Sequence, residues 1–347
     1  MFTAKAALAT LLTALAMTAV PAVAAPDTPP LPDNILMNPG KMVTVDGKRR
    51  INLSCLGNGS PTVLFDAGWA DSTLSWALVQ GEVAKFTRAC AYDRAGIAFS
   101  DPRNGESDAI AAVADIHALL KAANIKEPVL YVGHSLAGLF GVLLAASHPD
   151  DLAGAVLVDP AFAKEWQSMS AAGIAAGASP ATAEDVFSTS VKAQVQRYRE
   201  CAVLPAPLPD GCAERDTRLP SSLADFKRVQ MSRPSYLLAR ASELENIRPT
   251  KDGTSVDEKE VEAVRASFGD KPLIVLTREK VEGRPGFTAE QNVAMYQAWK
   301  AGHQKLAALS TRGSHRVVAG SGHYIQYHKP LVVIDAVKQA LAAIRGR

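Results

Sequence analysis

Between residues 129 and 146 a strand-length apolar run, Val129-Leu130-Tyr131-Val132, passes into an apolar helix with only Gly133-His134-Ser135-Leu136-Ala137-Gly138 between them. A strand that turns so sharply into a helix must lay that helix back on its own sheet, the local unit of a largely parallel sheet covered on both faces. Such a turn strains the backbone of its central residue, here Ser135, and needs small residues two positions to either side. Gly133 and Ala137 meet that need, while Gly138 and Gly141 let the helix approach the sheet. The segment departs from strict Gly-x-Ser-x-Gly at Ala137 yet keeps its steric logic. The result is a serine hydroxyl projecting above the sheet, with the Leu136 N–H aimed at a substrate carbonyl oxygen.

The remaining chain repeats the strand–helix alternation. Residues 41–45 and 50–56, joined through Asp46-Gly47, have the signature of a β-hairpin, which contributes an antiparallel strand to one side of the sheet. Strands follow at 62–65, 89–92, 129–132 and 155–158, with an amphipathic helix at 110–123. After Asp159 no strand is evident until 272–276; a helix then spans 292–309, a strand 316–319 and a last helix 330–344. The stretch 163–266, about a hundred residues, is too long for a structureless loop and has helical periodicity. These runs divide the chain into a core at 41–162 and 267–347, made of an eight-stranded, mostly parallel sheet with helices on both faces, and an inserted helical cap at 163–266.

Lys5 followed by the apolar stretch 6–20 and Ala22-Val23-Ala24 has the form of a signal peptide, residues 1–24, cleaved after Ala24. That stretch is shorter than the roughly 20 apolar residues a membrane span needs, and no later run is long enough. A Pro-rich leader occupies 25–40. The expected location is therefore periplasmic or secreted. Four cysteines suit an oxidising compartment, and Cys201 and Cys212 bracket a Pro-rich loop that a local disulfide would close, although four buried thiols fit the sequence too. A formal net charge of +2 without a basic block gives no electrostatic reason for nucleic acid or an anionic membrane as partner. A small-molecule substrate is the expected partner; no cofactor and no metal are called for, and nothing sets an oligomeric state.

Among the seven histidines, His323 alone sits in a Gly-bracketed loop, Gly320-Ser321-Gly322-His323, after the final strand. A loop there can hang an imidazole over the sheet edge as general base for Ser135. His117, His148, His303, His315 and His328 have structural or solvated readings, and His134 packs beside the turn. In the loop after the strand at 62–65, Gly68 permits a turn, and the Trp69 backbone N–H is the candidate second oxyanion donor. Asp93-Arg94 reads as a structural ion pair.

Together Phe65-Asp66-Ala67-Gly68-Trp69, Ala91-Tyr92-Asp93-Arg94-Ala95-Gly96, Gly133-His134-Ser135-Leu136-Ala137-Gly138, Leu157-Val158-Asp159-Pro160 and Gly320-Ser321-Gly322-His323 resemble the α/β-hydrolase fold family, closest to its esterase-like and lipase-like members with a helical cap. The resemblance runs from about residue 41 to the C-terminus, the cap excepted. It implies a serine hydrolase acting on carboxylic esters through an acyl-enzyme, with the acid that orients His323 either at the end of the strand at 155–158, which is Asp159, or in the loop after 272–276, which offers Glu279 and Glu282; Asp159 is preferred because a strand end is a firmer platform than a charged loop. By the family's strand order it places Cys55 beside Cys90, where they can pair. A serine at the turn separates the chain from relatives that attack epoxides or haloalkanes with aspartate at that position. Amidase, aminopeptidase or carbon–carbon hydrolase chemistry, or a non-catalytic binding protein on the same scaffold, are the alternatives it leaves.

Overall fold

The computed structural model describes residue 29 and residues 35–250 and 253–346. The expected signal segment, 1–24, and much of the 25–40 leader lie outside the described residues. The leader's last part contains a 3-10 turn, Ile35–Met37, whose Leu36 is buried with Leu74, Ala77 and Leu219.

Eight strands form one sheet: β1 (Lys41–Val45), β2 (Arg49–Leu56), β3 (Val63–Asp66), β4 (Ala89–Tyr92), β5 (Val129–His134), β6 (Leu152–Val158), β7 (Leu273–Arg278) and β8 (Gly313–Val318). Their spatial order is β1-β2-β4-β3-β5-β6-β7-β8. β2 is antiparallel to both neighbours, and every other pairing is parallel. Asp46 and Gly47 both take positive φ, 46° and 75°, in the short connection 46–48 that sets Val45 opposite Arg49. The period-2 alternation of each central strand splits its side chains between two cores. Leu64, Tyr131, Leu157 and Val275 face one side; Phe65, Val132, Val156 and Leu276 face the other.

The first core is covered by α1 (Ala109–Ala122), α2 (Ala137–Ser147) and, further along the chain, α8 (Ala289–Ala307); the second is covered mainly by α9 (Pro330–Arg345). β8 begins three residues earlier than its apolar pattern suggests. It is an edge strand, and its exposed Ser314 and half-buried His315 and Arg316 carry no hydrophobic signal. Between β6 and β7 the described chain is helical, with α3 (Glu165–Ala175), α4 (Ser190–Cys201), α5 (Ser221–Met231), α6 (Pro234–Ile247) and α7 (Val256–Glu262). Both disulfides form. Cys55 and Cys90 stand opposite each other on β2 and β4, and Cys201–Cys212 closes the loop after α4.

One expectation is corrected. Asp93 and Arg94 do not pair with each other. Asp93 accepts from Asn52 Nδ2 at 2.7 Å and the Thr73 amide at 2.8 Å, whereas Arg94 bonds Asp66 and Glu243. Consecutive residues leaving a strand point to opposite sides, so the two side chains enter different networks.

Candidate active site

The parallel strands deliver their polar C-terminal residues to one edge of the sheet. Ser135 follows β5 with φ of 53°, the left-handed conformation that the sharp strand-to-helix turn imposes. The turn is locked from both sides: the Ser135 N–H donates to Val158 O at 3.1 Å, and Ser135 O accepts from the Gly138 and Ala161 amides at 2.8 Å each. A Cβ on Gly133 would come within 2.9 Å of Ala137 O, so the first small residue is obligatory. Gly68 passes over the same turn; a Cβ there would meet His134 Nδ1 at 2.8 Å and Ser135 Cβ at 3.2 Å.

The structure brings Ser135, His323 and Asp159 together. His323 Nε2 lies 3.0 Å from Ser135 Oγ, and its Nδ1 lies 2.6 Å from Asp159 Oδ2. Asp159 follows β6, again with positive φ, 43°. Its buried carboxylate also accepts from the Arg278 amide at 2.9 Å, Arg278 Nη1 at 2.5 Å and Trp299 Nε1 at 3.2 Å. Burial alone would push this carboxyl up. The Arg278 charge and the His323 hydrogen bond outweigh it and hold Asp159 well below the usual carboxylate range. Glu279 and Glu282 reach the same loop at its backbone, Glu279 Oε2 accepting from the Gly320 amide at 2.8 Å and Glu282 Oε1 from the His323 amide at 3.1 Å. Neither is the Nδ1 partner.

His134 lies beside the turn, its ring centroid 4.7 Å from that of His323 and its Nε2 3.1 Å from His323 O. Burial, then the neighbouring His323, lower its pKa to about 3, so at neutral pH it is an uncharged ring. The Trp69 and Leu136 residues both line the chamber above Ser135. Among the described residues, neither backbone N–H donates to a protein acceptor. Two free amides beside a serine hydroxyl are what an oxyanion would need.

The chamber, about 270 Å³, has apolar walls from Trp69, Leu139, Trp166, Leu244 and Ile247 and a polar pole containing Glu165, Arg278 and Arg284. Trp166, Leu244 and Ile247 come from the helices between β6 and β7. Burial, then the nearby Glu258 charge, raise the Glu165 carboxyl to about 8, so it holds its proton at neutral pH. Sequence reasoning missed Arg278, Trp299 and Glu165. A signal for Arg278 was present: it ends an apolar strand where an unpaired charge would be costly.

The chain matches the Alpha/beta hydrolase family over residues 59–336. It is 33% identical over 122 residues to the uncharacterised protein YqjL of Bacillus subtilis, a match covering 35% of this chain and 48% of that protein. The chain thus matches about half the length of that curated relative. A thermophilic esterase from Thermogutta terrifontis superposes with a TM-score of 0.54 at 16% identity, covering 87% of this chain and 97% of that one. A putative epoxide hydrolase from Pseudomonas aeruginosa does so with a TM-score of 0.58 at 16% identity, covering 92% and 99%. At these identities the likeness is one of fold.

Proposed function

The chain belongs to the alpha/beta hydrolase family, and from that premise we propose that it is an exported serine hydrolase cleaving a carboxylic ester of a small molecule. The observation that carries the reading is the unbroken hydrogen-bond relay from Ser135 Oγ through His323 to Asp159, at 3.0 and 2.6 Å. In this reading His323 takes the Ser135 proton at Nε2 while Oγ attacks the ester carbonyl carbon. The carbonyl oxygen gathers negative charge against the Leu136 and Trp69 amides. Collapse breaks the ester C–O bond, and the Nε2 proton passes to the departing alcohol. Water then attacks the acyl-enzyme by the same route, leaving the carboxylic acid and free Ser135. Asp159, charged and fixed by Arg278, holds the imidazole tautomer with its proton on Nδ1 and stabilises the imidazolium.

An aspartate nucleophile, as epoxide-opening or dehalogenating relatives use, has no counterpart at residue 135. The modest chamber volume favours short acyl groups. Export rests on the apolar 6–20 stretch ending at Ala22-Val23-Ala24 and accords with two disulfides. No helix among the described residues is long and apolar enough to cross a membrane.

A series of p-nitrophenyl esters of increasing acyl length, with Ser135→Ala as control, tests the reading together with labelling by a fluorophosphonate. Hydrolysis that falls with chain length and vanishes with Ser135→Ala is expected. Absence of both turnover and label on the wild-type protein would refute it.

A further inference from the structure

We propose that Arg94 is the positioning residue of the oxyanion hole, aiming the Trp69 N–H from behind its peptide, and that cap helix α6 completes this clamp through Glu243. The inference rests on the serine-hydrolase reading above. Its physical basis is the planar trans peptide: the Gly68 carbonyl and the Trp69 N–H belong to one rigid unit and point in opposite directions. Whatever pins the oxygen aims the hydrogen. Gly68 O accepts from Arg94 Nη2 at 2.6 Å and from the Asp71 amide at 3.1 Å. The preceding carbonyl, Ala67 O, accepts from Arg94 Nη1 at 2.6 Å. One planar guanidinium therefore fixes two successive peptides of the loop.

Arg94 does not touch the chamber; it is absent from the Ser135 pocket lining and is 6% exposed. It is itself held by Asp66 Oδ1 at 2.7 Å from the core and by Glu243 Oε1 at 2.6 Å from α6. A buried guanidinium could be satisfied by its two carboxylates alone. This one also donates to the oxyanion loop, and a positive charge hydrogen-bonded to a carbonyl strengthens the N–H on the other side of that peptide. Glu243 Oε2 meanwhile accepts from the Ala70 amide at 2.8 Å, Trp69 Nε1 donates to Arg240 O at 3.0 Å, and Tyr236 Oη donates to Ala70 O at 3.0 Å. Helix α6 thus grips the loop at the Trp69 side chain and at Ala70, just beyond the Trp69 amide, while Arg94, held by Glu243, grips it just before, so the cap sets the hole's geometry as well as walling the chamber.

The test is Arg94→Lys, which keeps the buried charge facing Asp66 and Glu243 but cannot span two carbonyls and two carboxylates with one ammonium. Four quantities are read: kcat and KM on p-nitrophenyl acetate, the affinity for an aryl trifluoromethyl ketone, whose Ser135 adduct carries the oxyanion, and the affinity for the corresponding alcohol. The alcohol of that ketone, which forms no adduct, serves as ground-state probe. Expected is a fall of about tenfold or more in kcat and in ketone affinity, with KM and alcohol affinity changed less than about twofold. Glu243→Gln, which keeps a neutral acceptor for the Ala70 amide, should move the same two quantities in the same direction by a smaller factor. A folded Arg94→Lys enzyme with unchanged kcat, or one losing ketone and alcohol affinity equally, overturns the proposal. If Arg94→Lys does not fold, an unchanged ratio of ketone to alcohol affinity in Glu243→Gln overturns it. Wild-type protein that neither hydrolyses the ester nor binds the ketone sinks the hydrolase reading instead, a separate outcome.

Discussion

Asparagine in place of Asp159 keeps the shape of the side chain and exchanges one acceptor oxygen for a donor. The native carboxylate has four hydrogen-bond donors around it, the Arg278 amide, Arg278 Nη1, Trp299 Nε1 and His323 Nδ1. The new NH2 must face some of them. In the place of Oδ2 it faces both His323 Nδ1 and Arg278 Nη1, and it turns the imidazole to the tautomer with its proton on Nε2, which cannot accept the Ser135 proton. A change of this kind costs about 10⁴ in kcat, or roughly 5 kcal/mol of transition-state stabilisation. In either orientation the neutral amide leaves the Arg278 guanidinium, which is 4% exposed, without its closest charged partner. Breaking such a buried pair costs about 3–5 kcal/mol of stability, on the order of 5–10 °C in Tm for a chain of this size. Both quantities are measurable on one preparation, by p-nitrophenyl acetate turnover and by thermal unfolding. The expected result is a kcat loss of about 10³–10⁴ with a lower Tm. Glu279→Gln and Glu282→Gln each retain the acceptor for a loop amide, and should stay within about fivefold of wild type. Asp159→Asn turning over at near wild-type rate, with either glutamine variant crippled, would refute the assignment of the acid.

Three further outcomes follow from the same geometry. Gly68→Ala forces its Cβ to within 2.8 Å of His134 Nδ1 and displaces the Trp69 amide; kcat on the same ester should fall about 100-fold, as for loss of one oxyanion donor, and a fully active folded variant would contradict this. Glu165 has a folded pKa near 8, above its unfolded value, so its stabilising contribution is complete below about pH 4.5 and is lost as pH rises through 8. Glu165→Gln should therefore raise Tm relative to wild type more at pH 9 than at pH 5, and equal shifts at both would count against a protonated Glu165. Replacing Cys55 and Cys90 together by alanine opens a loop with a sequence separation of 35 and should cost about 4 kcal/mol in denaturant unfolding on the chain-entropy estimate; an unchanged midpoint would show that the bond is not what holds β2 to β4.

The fold was legible because its signal is local. Short apolar runs such as 129–132 or 272–276 and helical spacing in 110–123 are set by neighbours a few residues away, and a parallel sheet follows from their order. Ser135 and His323 were legible for a related reason: each needs small residues beside it, and Gly133, Ala137, Gly320 and Gly322 mark those needs in the sequence. Arg278 as partner of Asp159, 119 residues away, and Glu243 as partner of Arg94, 149 residues away, have no such local mark. A charged residue in a helix such as α6 looks like a solvated face until the fold supplies its buried partner.

Adjacency in sequence misled at Asp93-Arg94, yet a stronger rule was available. Asp66 and Arg278 end β3 and β7, while Asp93 and Asp159 directly follow β4 and β6, and each terminates a run that is otherwise apolar and buried. Parallel strands carry all these ends to the same edge of the sheet, the edge at which α/β folds place their ligands. A charge there must be matched, because isolated it would be too costly to bury. Opposite charges on the ends of adjacent strands are therefore the pairs to seek first, and β6 and β7 supply one, Asp159 and Arg278. The charge left over just beyond β4, Arg94, must then find a partner outside the sheet as well as Asp66 within it. That demand is what draws Glu243 of α6 down onto the core and binds the cap to the loop above Ser135.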